Sequence, residues 1–208
     1  LRVAGTFAAF TDVELGRHPA LIGLGLATSD ECWYLPARSV PAEVDALLRD
    51  EDVRIVVHDA KTARRALRRA GSDLAGVAMD TMLASYLANA SRRQHALDDL
   101  AQERLQLAIP ALPAPDRKDP SRTPSVAERA ARAGASAAAT VRLAALFAED
   151  LERLGLTKLF ETIELPLVDV LVDMEEAGIA VDVPYLAELA REFRDEVARI
   201  EREAHDAV

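Results

Sequence analysis

The stretch RIVVHDAKTARRALRRA, residues 54–70, decides the fold. It opens with a continuous run of β-branched side chains, which is typical of a strand buried on both faces of a sheet. From Lys61 to Ala70, apolar side chains recur at helical spacing and four arginines share the opposite side. A buried strand that leads directly into an amphipathic helix is typical of a layered domain, so we predict an α/β fold.

The segments around this unit extend the same pattern. Short apolar runs predict strands, and apolar stripes between turn residues predict helices. The predicted strands are Val3–Phe10, Leu21–Thr28, Cys32–Leu35, Arg54–His58 and Val77–Met79, and the predicted helices begin near Pro41, Lys61, Asp80, Ala96, Val126, Leu167 and Pro184.

The chain divides into two regions of different character. Residues 1–156 alternate strands with helices and include a proline-rich connection at residues 108–124, which we expect to be extended and exposed. Residues 157–208 are helical in pattern, with Gly178 as a helix end. We therefore predict a domain boundary near residue 156.

The composition indicates a soluble globular protein. Half of the 208 residues are hydrophobic and 29% are charged, which excludes intrinsic disorder and a disulfide scaffold. The lone cysteine, Cys32, indicates a reducing, cytoplasmic setting. No apolar run is long enough to span a membrane, and no signal peptide is recognisable. Since the chain starts at Leu1 and stops inside a helical pattern, we expect it to be a segment of a longer polypeptide.

The net charge of −10 argues at face value against a partner rich in phosphate. The charge is unevenly distributed, however. Residues 157–208 hold 5 lysines and arginines against 14 acidic side chains, so the first 156 residues are close to neutral. The average charge therefore does not exclude nucleic acid as a partner.

Three strings resemble family A bacterial DNA polymerases, the DNA polymerase I family. LFETIELPLVDVLVDMEEAGIAVDVPYL, residues 159–186, resembles the start of the polymerase domain. AMDTMLASYLAN, residues 78–89, and HALDDLA, residues 95–101, resemble the middle of the 3′–5′ exonuclease domain. The resemblance implies a ribonuclease H-like exonuclease fold, a mixed sheet flanked by helices, followed by an α-helical segment that opens the polymerase domain.

The same resemblance implies a parent protein with DNA-directed DNA polymerase activity, a nucleotidyltransferase of replication and repair. Its partner would be a DNA primer-template and its metal Mg²⁺. We expect no cofactor in this segment itself, no membrane association, a monomer, and a cytoplasmic location in a bacterium.

Exonucleases of this family hydrolyse phosphodiesters with two divalent cations held by carboxylates from three separate sites. The resemblance assigns five positions of this chain to those sites, and none of them carries a carboxylate. We therefore predict a catalytically inactive scaffold without a metal site. The five degenerate positions are Ala8, Phe10, Ala63, Gly134 and Ala138.

Two alternatives stay open. One is an active metal-dependent 3′–5′ proofreading exonuclease that uses the nearby carboxylates in an unusual arrangement, although Asp12 and Glu14 fall in a predicted loop and Asp59 suits a helix cap. The other is a standalone interaction module. The carboxylates of the first alternative are Asp12, Glu14, Asp59 and Asp80.

Other side chains have less specific interpretations. The arginines at positions 64, 65, 68 and 69 form either a solvated helix face or a track for a phosphate backbone. We expect Trp33 and Tyr34 to pack against the sheet, and His58 and His95 to be structural.

Overall fold

A computed structural model describes residues 6–14, 19–36, 38–113 and 122–206. Its centre is a five-stranded sheet with the strand order β3-β2-β1-β4-β5. The pairs β1–β2 and β2–β3 are antiparallel, whereas β1–β4 and β4–β5 are parallel. The predicted mixed sheet is thereby confirmed. The strands are β1 (Thr6–Glu14), β2 (Ala20–Ala27), β3 (Cys32–Leu35), β4 (Arg54–Val57) and β5 (Val77–Asp80).

The first strand extends further than the sequence pattern predicts. The pattern predicts that the strand ends at Phe10, but pairing with β2 continues to Glu14 across an irregularity between Asp12 and Val13. The expectation that Asp12 and Glu14 lie in a loop is therefore wrong. The reason is that antiparallel pairing continues through these polar positions, which a purely apolar pattern does not reveal. The predicted start of the strand at Val3 lies outside the described residues.

The described part of the chain also contains eight α-helices. A π-helical turn, Phe160–Glu164, joins the sixth helix to the seventh. The helices are α1 (Ala42–Leu48), α2 (Ala60–Arg69), α3 (Thr81–Ala88), α4 (Leu97–Leu105), α5 (Val126–Leu154), α6 (Thr157–Leu159), α7 (Leu165–Ala177) and α8 (Val183–Asp206).

The core consists of two apolar clusters, one on each face of the sheet. The α1 and α2 helices cover one face, where Phe7, Ile55 and Leu67 are buried. The α3, α4 and α5 helices cover the other face, where Leu143 and Phe147 are buried. Because successive side chains of a strand point to opposite faces, neighbouring residues of β1 contribute to both clusters.

The α5 helix lies unusually close to the sheet. It begins with a capping box between Ser125 and Glu128, and it ends at Gly155 in a left-handed conformation. A Cβ atom added at Gly25 of β2 would lie 2.5 Å from the backbone carbonyl oxygen of Ala133. Glycine at position 25 therefore permits the backbone contact between strand and helix.

The chain forms two compact units, Leu1–Asp173 and Met174–Val208. The first unit includes α6, the π-helical turn and the first part of α7, because Phe160, Val168 and Val172 are buried in its core. In the second unit α7 ends before Gly178 and α8 follows. The compact unit thus continues past the predicted domain boundary near residue 156.

Of the proline-rich connection, residues 114–121 lie outside the described residues, and the flanking residues form neither helix nor strand. Among the described residues, no helix is both long and apolar enough to cross a membrane.

We predict that Gly25→Ala destabilises the domain by about 2 kcal/mol, since the added methyl group must displace the α5 backbone. Chemical unfolding monitored by circular dichroism measures the effect. Gly134→Ala is the matched control. It replaces a mid-helix glycine with a better helix former, and the new methyl group would meet only Cys32 Sγ, at 3.3 Å. Equal losses of stability in the two variants would contradict the close contact at Gly25.

Candidate functional site

The buried carboxylate of Asp80 fixes the starts of two helices. It accepts hydrogen bonds from the backbone N–H groups of Asp59 and Ala60 at 3.1 and 2.8 Å, which places the start of α2. It also accepts from the N–H groups of Met82 and Leu83 at 2.8 and 3.4 Å, which caps α3. Burial raises the pKa of Asp80 to about 6, although the hydrogen bonds from these N–H groups act in the opposite direction.

Asp59 is held in a strained conformation beside Asp80. Its backbone is left-handed, with φ of 63°, which is uncommon for a residue other than glycine. Its side chain accepts a hydrogen bond from Thr62 N–H at 3.0 Å and so caps α2. The helix cap expected at Asp59 is present.

A cavity of about 290 Å³ opens beside this turn, at the ends of β1 and β4 and against the start of α5. We call it the sheet-end cleft. Residues of β1, of the turn into α2 and of α5 line it, together with one residue of the connection before α5. The lining residues are Phe10, Thr11, Asp12, Val13, His58, Asp59, Thr62, Leu112, Arg129, Arg132 and Ala133.

An ion pair lies in the sheet-end cleft. Arg129 Nη1 lies 2.9 and 3.2 Å from the two carboxylate oxygens of Asp12, and Tyr34 Oη donates to the same carboxylate at 2.8 Å. Asp12 is only 7% exposed, so the guanidinium compensates a nearly buried charge. Burial and the hydrogen bond to Asp12 raise the pKa of the Tyr34 phenol above its ordinary value.

A second arginine reaches the sheet-end cleft from the next turn of α5. Arg132 pairs with Asp98 at 2.9 Å and donates to the backbone carbonyl of Pro110 at 3.0 Å. His58 contributes no formal charge at neutral pH, because burial lowers its pKa to about 4. Among the described residues, the cleft therefore contains two cationic side chains and two carboxylates, and one of those carboxylates, Asp12, is paired with Arg129.

The structure brings only one of the five degenerate positions to the lining of this cleft. Phe10 lines it, whereas Ala8 and Ala63 are buried in the two core clusters. Gly134 faces Cys32, and Ala138 lines a different cavity, beside the β2–β3 turn. On α5 it is Arg129, Arg132 and Ala133 that face the cleft, so the assignment of Gly134 and Ala138 to a metal site stays a prediction from the resemblance.

The four alternative carboxylates are also separated. Asp12 and Asp59 line the sheet-end cleft, while Glu14 is exposed at the end of β1 and is not part of the lining. Asp80 is buried, and its carboxylate oxygens accept hydrogen bonds from backbone N–H groups. Within residues 6–14, 19–36, 38–113 and 122–206, no three His, Cys, Asp or Glu side chains are grouped so that they could hold a metal ion.

Sequence reasoning missed Arg129 and Arg132 as cleft residues and Tyr34 as a hydrogen-bond donor to Asp12. The spacing of the two arginines places them on one face of α5, but no pattern in the sequence shows which face meets the sheet. Trp33, which we expected to pack against the sheet, is 41% exposed. It lies on β3, which is an edge strand of the sheet.

Comparison with known proteins finds similar sequences among bacterial DNA polymerases I. Residues 16–110 match the model of the family described as DNA polymerase I, ribonuclease H-like domain. DNA polymerase I of Mycobacterium leprae is 32% identical over 203 residues, which is 94% of this chain and 22% of that protein. The chain thus spans about a fifth of the length of this curated relative.

Solved structures show the same likeness. The polymerase domain of Pol1 from M. smegmatis, in complex with DNA primer-template and dNTP, superposes with a TM-score of 0.78 at 27% identity, over 93% of this chain and 32% of that one. NrnC of Brucella melitensis superposes with a TM-score of 0.67 at 21% identity, over 86% and 90% of the two chains, which shows a common fold. The predicted ribonuclease H-like fold and the resemblance to DNA polymerase I are thereby confirmed.

We predict that the stability advantage of wild type over Asp80→Asn falls by about 2 kcal/mol between pH 4 and pH 7. The sign follows from the raised pKa. The carboxyl group contributes its full stability when it is protonated, below its ordinary pKa of 3.8, and loses it as the pH rises through about 6. Urea unfolding at a series of pH values measures the difference. Taking that difference removes the opposite contribution of His58, whose pKa is lowered.

Glu14→Gln is the control for this experiment, since it removes an exposed carboxylate on β1. Its pH profile should follow wild type. A pH-independent difference between wild type and Asp80→Asn would show that the fold does not shift the titration of Asp80.

We predict that Arg129→Met destabilises the domain by about 3 kcal/mol, because it leaves the Asp12 carboxylate nearly buried without a cation. The double variant Asp12→Asn/Arg129→Met should lose at least about 1 kcal/mol less than the sum of the two single variants. Urea unfolding of the four proteins gives the coupling free energy. Additive losses would contradict the ion pair.

Proposed function

We propose that this chain, which resembles DNA polymerase I along 94% of its length, is an exonuclease-like domain without 3′–5′ exonuclease activity, followed by the opening helices of a polymerase domain. The domain would act as a scaffold of a longer DNA polymerase I-like protein. The observation that carries this proposal is the ion pair of Asp12 with Arg129 in the sheet-end cleft.

The donor groups of the sheet-end cleft do not fit a two-metal nuclease centre. Mg²⁺ prefers several oxygen ligands in octahedral geometry, and two-metal hydrolysis needs carboxylates that bridge both ions. Asp12 and Asp59 both line the cleft, but the first is paired with Arg129 and the second caps α2. A guanidinium next to the candidate ligand also repels a divalent cation. We therefore derive no metal-dependent step for this chain.

The domain nevertheless has a buried apolar core on both faces of its sheet. The two core clusters, the capped helices and the close contact of α5 with β2 all lie in the same domain. A buried core beside a cleft that lacks a suitable set of metal ligands favours a scaffold role over chemistry.

The longer protein would perform the chemistry. We propose that it catalyses template-directed DNA synthesis on a primer-template with Mg²⁺, in DNA replication and repair, as a monomer in the bacterial cytoplasm. The complex of M. smegmatis Pol1 with DNA primer-template and dNTP supports the choice of partner. Polymerase palm carboxylates would lie outside the 208 residues of this chain.

The exonuclease proposal is tested on a single-stranded DNA labelled so that shortening from the 3′ end is visible. The purified 208-residue chain is incubated with it in Mg²⁺ and, separately, in Mn²⁺, beside an active 3′–5′ exonuclease as positive control. We expect no metal-dependent shortening above a protein-free sample, because the cleft lacks the ligands for two metals.

The competing hypothesis makes a different prediction in the same assay. An active exonuclease with atypical ligands would shorten the strand, and Asp12→Ala and Asp59→Ala would each abolish that activity. This outcome would overturn the scaffold proposal. Glu43→Ala is the matched control, because Glu43 is exposed on α1, does not line the sheet-end cleft and is not one of the four alternative carboxylates.

A further inference from the structure

The arginine face of α2 is in contact with another helix. Arg64 pairs with Asp73 at 2.8 Å and with Asp169 of α7. One turn later, Arg68 pairs with Asp73 at 3.4 Å and with Asp173 of α7 at 2.6 Å. Arg64 and Arg68 therefore form neither a merely solvated helix face nor an open track for phosphates. Both interpretations of the sequence leave out their ion pairs with α7.

The spacing of the partners matches between the two helices. Arg64 and Arg68 are four residues apart on α2, and Asp169 and Asp173 are four residues apart on α7, so each helix presents one row of like charges. Asp73 lies between the two arginines and bonds both of them. We call these five residues the α2–α7 ladder.

Apolar contacts lie directly beside the ladder. Val168 and Val172 precede the two ladder aspartates by one residue each, and both are buried in the core cluster that includes Ala63 and Leu67 of α2. The α7 helix thus attaches to the domain by two adjacent rows, one apolar and one ionic.

The α7 helix continues from the first compact unit into the second, and the last ladder residue, Asp173, is also the last residue of the first unit. No ladder residue lines the sheet-end cleft. Proline at position 166 lies in the first turn of α7, directly after the π-helical turn.

We infer that the α2–α7 ladder is an ionic lock that holds α7 on the exonuclease-like domain and makes its attachment sensitive to ionic strength. Isolated exposed ion pairs contribute little, but here a shared aspartate joins two of them in a network. The two arginines are partly buried, with side-chain exposures of 18% and 25%, whereas Asp169 and Asp173 are 52% and 67% exposed, so dissolved salt reaches these pairs. The lock also keeps Arg64 and Arg68 from other anions, because they face three carboxylates.

Amide hydrogen exchange followed by mass spectrometry tests the lock in the 208-residue chain. In Asp169→Asn/Asp173→Asn, we expect the amides of residues 168–173 to exchange about tenfold faster than in wild type at low salt. In wild type, 1 M NaCl should produce a similar rise, since the screening length falls to about 3 Å. Salt should have little further effect in the double variant.

Two controls separate the lock from general loosening. Val172→Ala weakens the apolar row and leaves the ladder residues in place, so exchange should rise in α7 and still respond to salt. The amides of β4 should remain protected in every variant, which shows that the domain is folded. Unchanged exchange in Asp169→Asn/Asp173→Asn, or an equal salt response in wild type and in that variant, would overturn the inference.

Discussion

The arrangement of the whole domain depends on one buried carboxylate. Asp80 ends β5 and starts α3, and its oxygens also accept the first backbone N–H groups of α2. The Asp80 side chain therefore fixes the start of α2, which follows β4, relative to the start of α3, which follows the parallel strand β5. A buried acidic group is costly unless it is hydrogen-bonded, and here four N–H groups provide that compensation. The same contacts place Asp59 at the rim of the sheet-end cleft, so the geometry of the cleft follows from a structural cap.

The electrostatic design of the sheet-end cleft differs from that of a two-metal nuclease centre. A two-metal centre concentrates negative charge and neutralises it with divalent cations. Here a side chain of the protein supplies the positive charge that compensates Asp12, because Arg129 extends from α5 to the Asp12 carboxylate. Tyr34 supplies a further hydrogen bond from the edge strand. The result is a cleft whose buried charge is satisfied without any bound ion.

Much of the fold follows from local patterns. The β-branched run at residues 55–57, the apolar stripe of α2 and the cap at Asp80 are all recognisable because strand and helix periodicities are local properties. The five degenerate exonuclease positions stay a prediction from the resemblance. The contacts that define the site do not follow from local patterns. Asp12 and Arg129 are separated by 117 positions in the chain, and their pairing depends on which face of α5 meets the sheet. Similarly, the sequence shows that α2 carries a row of arginines, but only the packing of α7 shows that two of them are paired.

The central claim is that the sheet-end cleft is neutralised by Arg129 and does not take up divalent cations. The most direct test is a titration of the 208-residue chain with Mn²⁺, followed by the paramagnetic broadening of assigned backbone amide signals in nuclear magnetic resonance spectra. Our account predicts that the amides of Val13, Thr62 and Ala133, which line the cleft, broaden no more than those of other residues of similar exposure. Selective broadening of these three signals at low Mn²⁺ would contradict it.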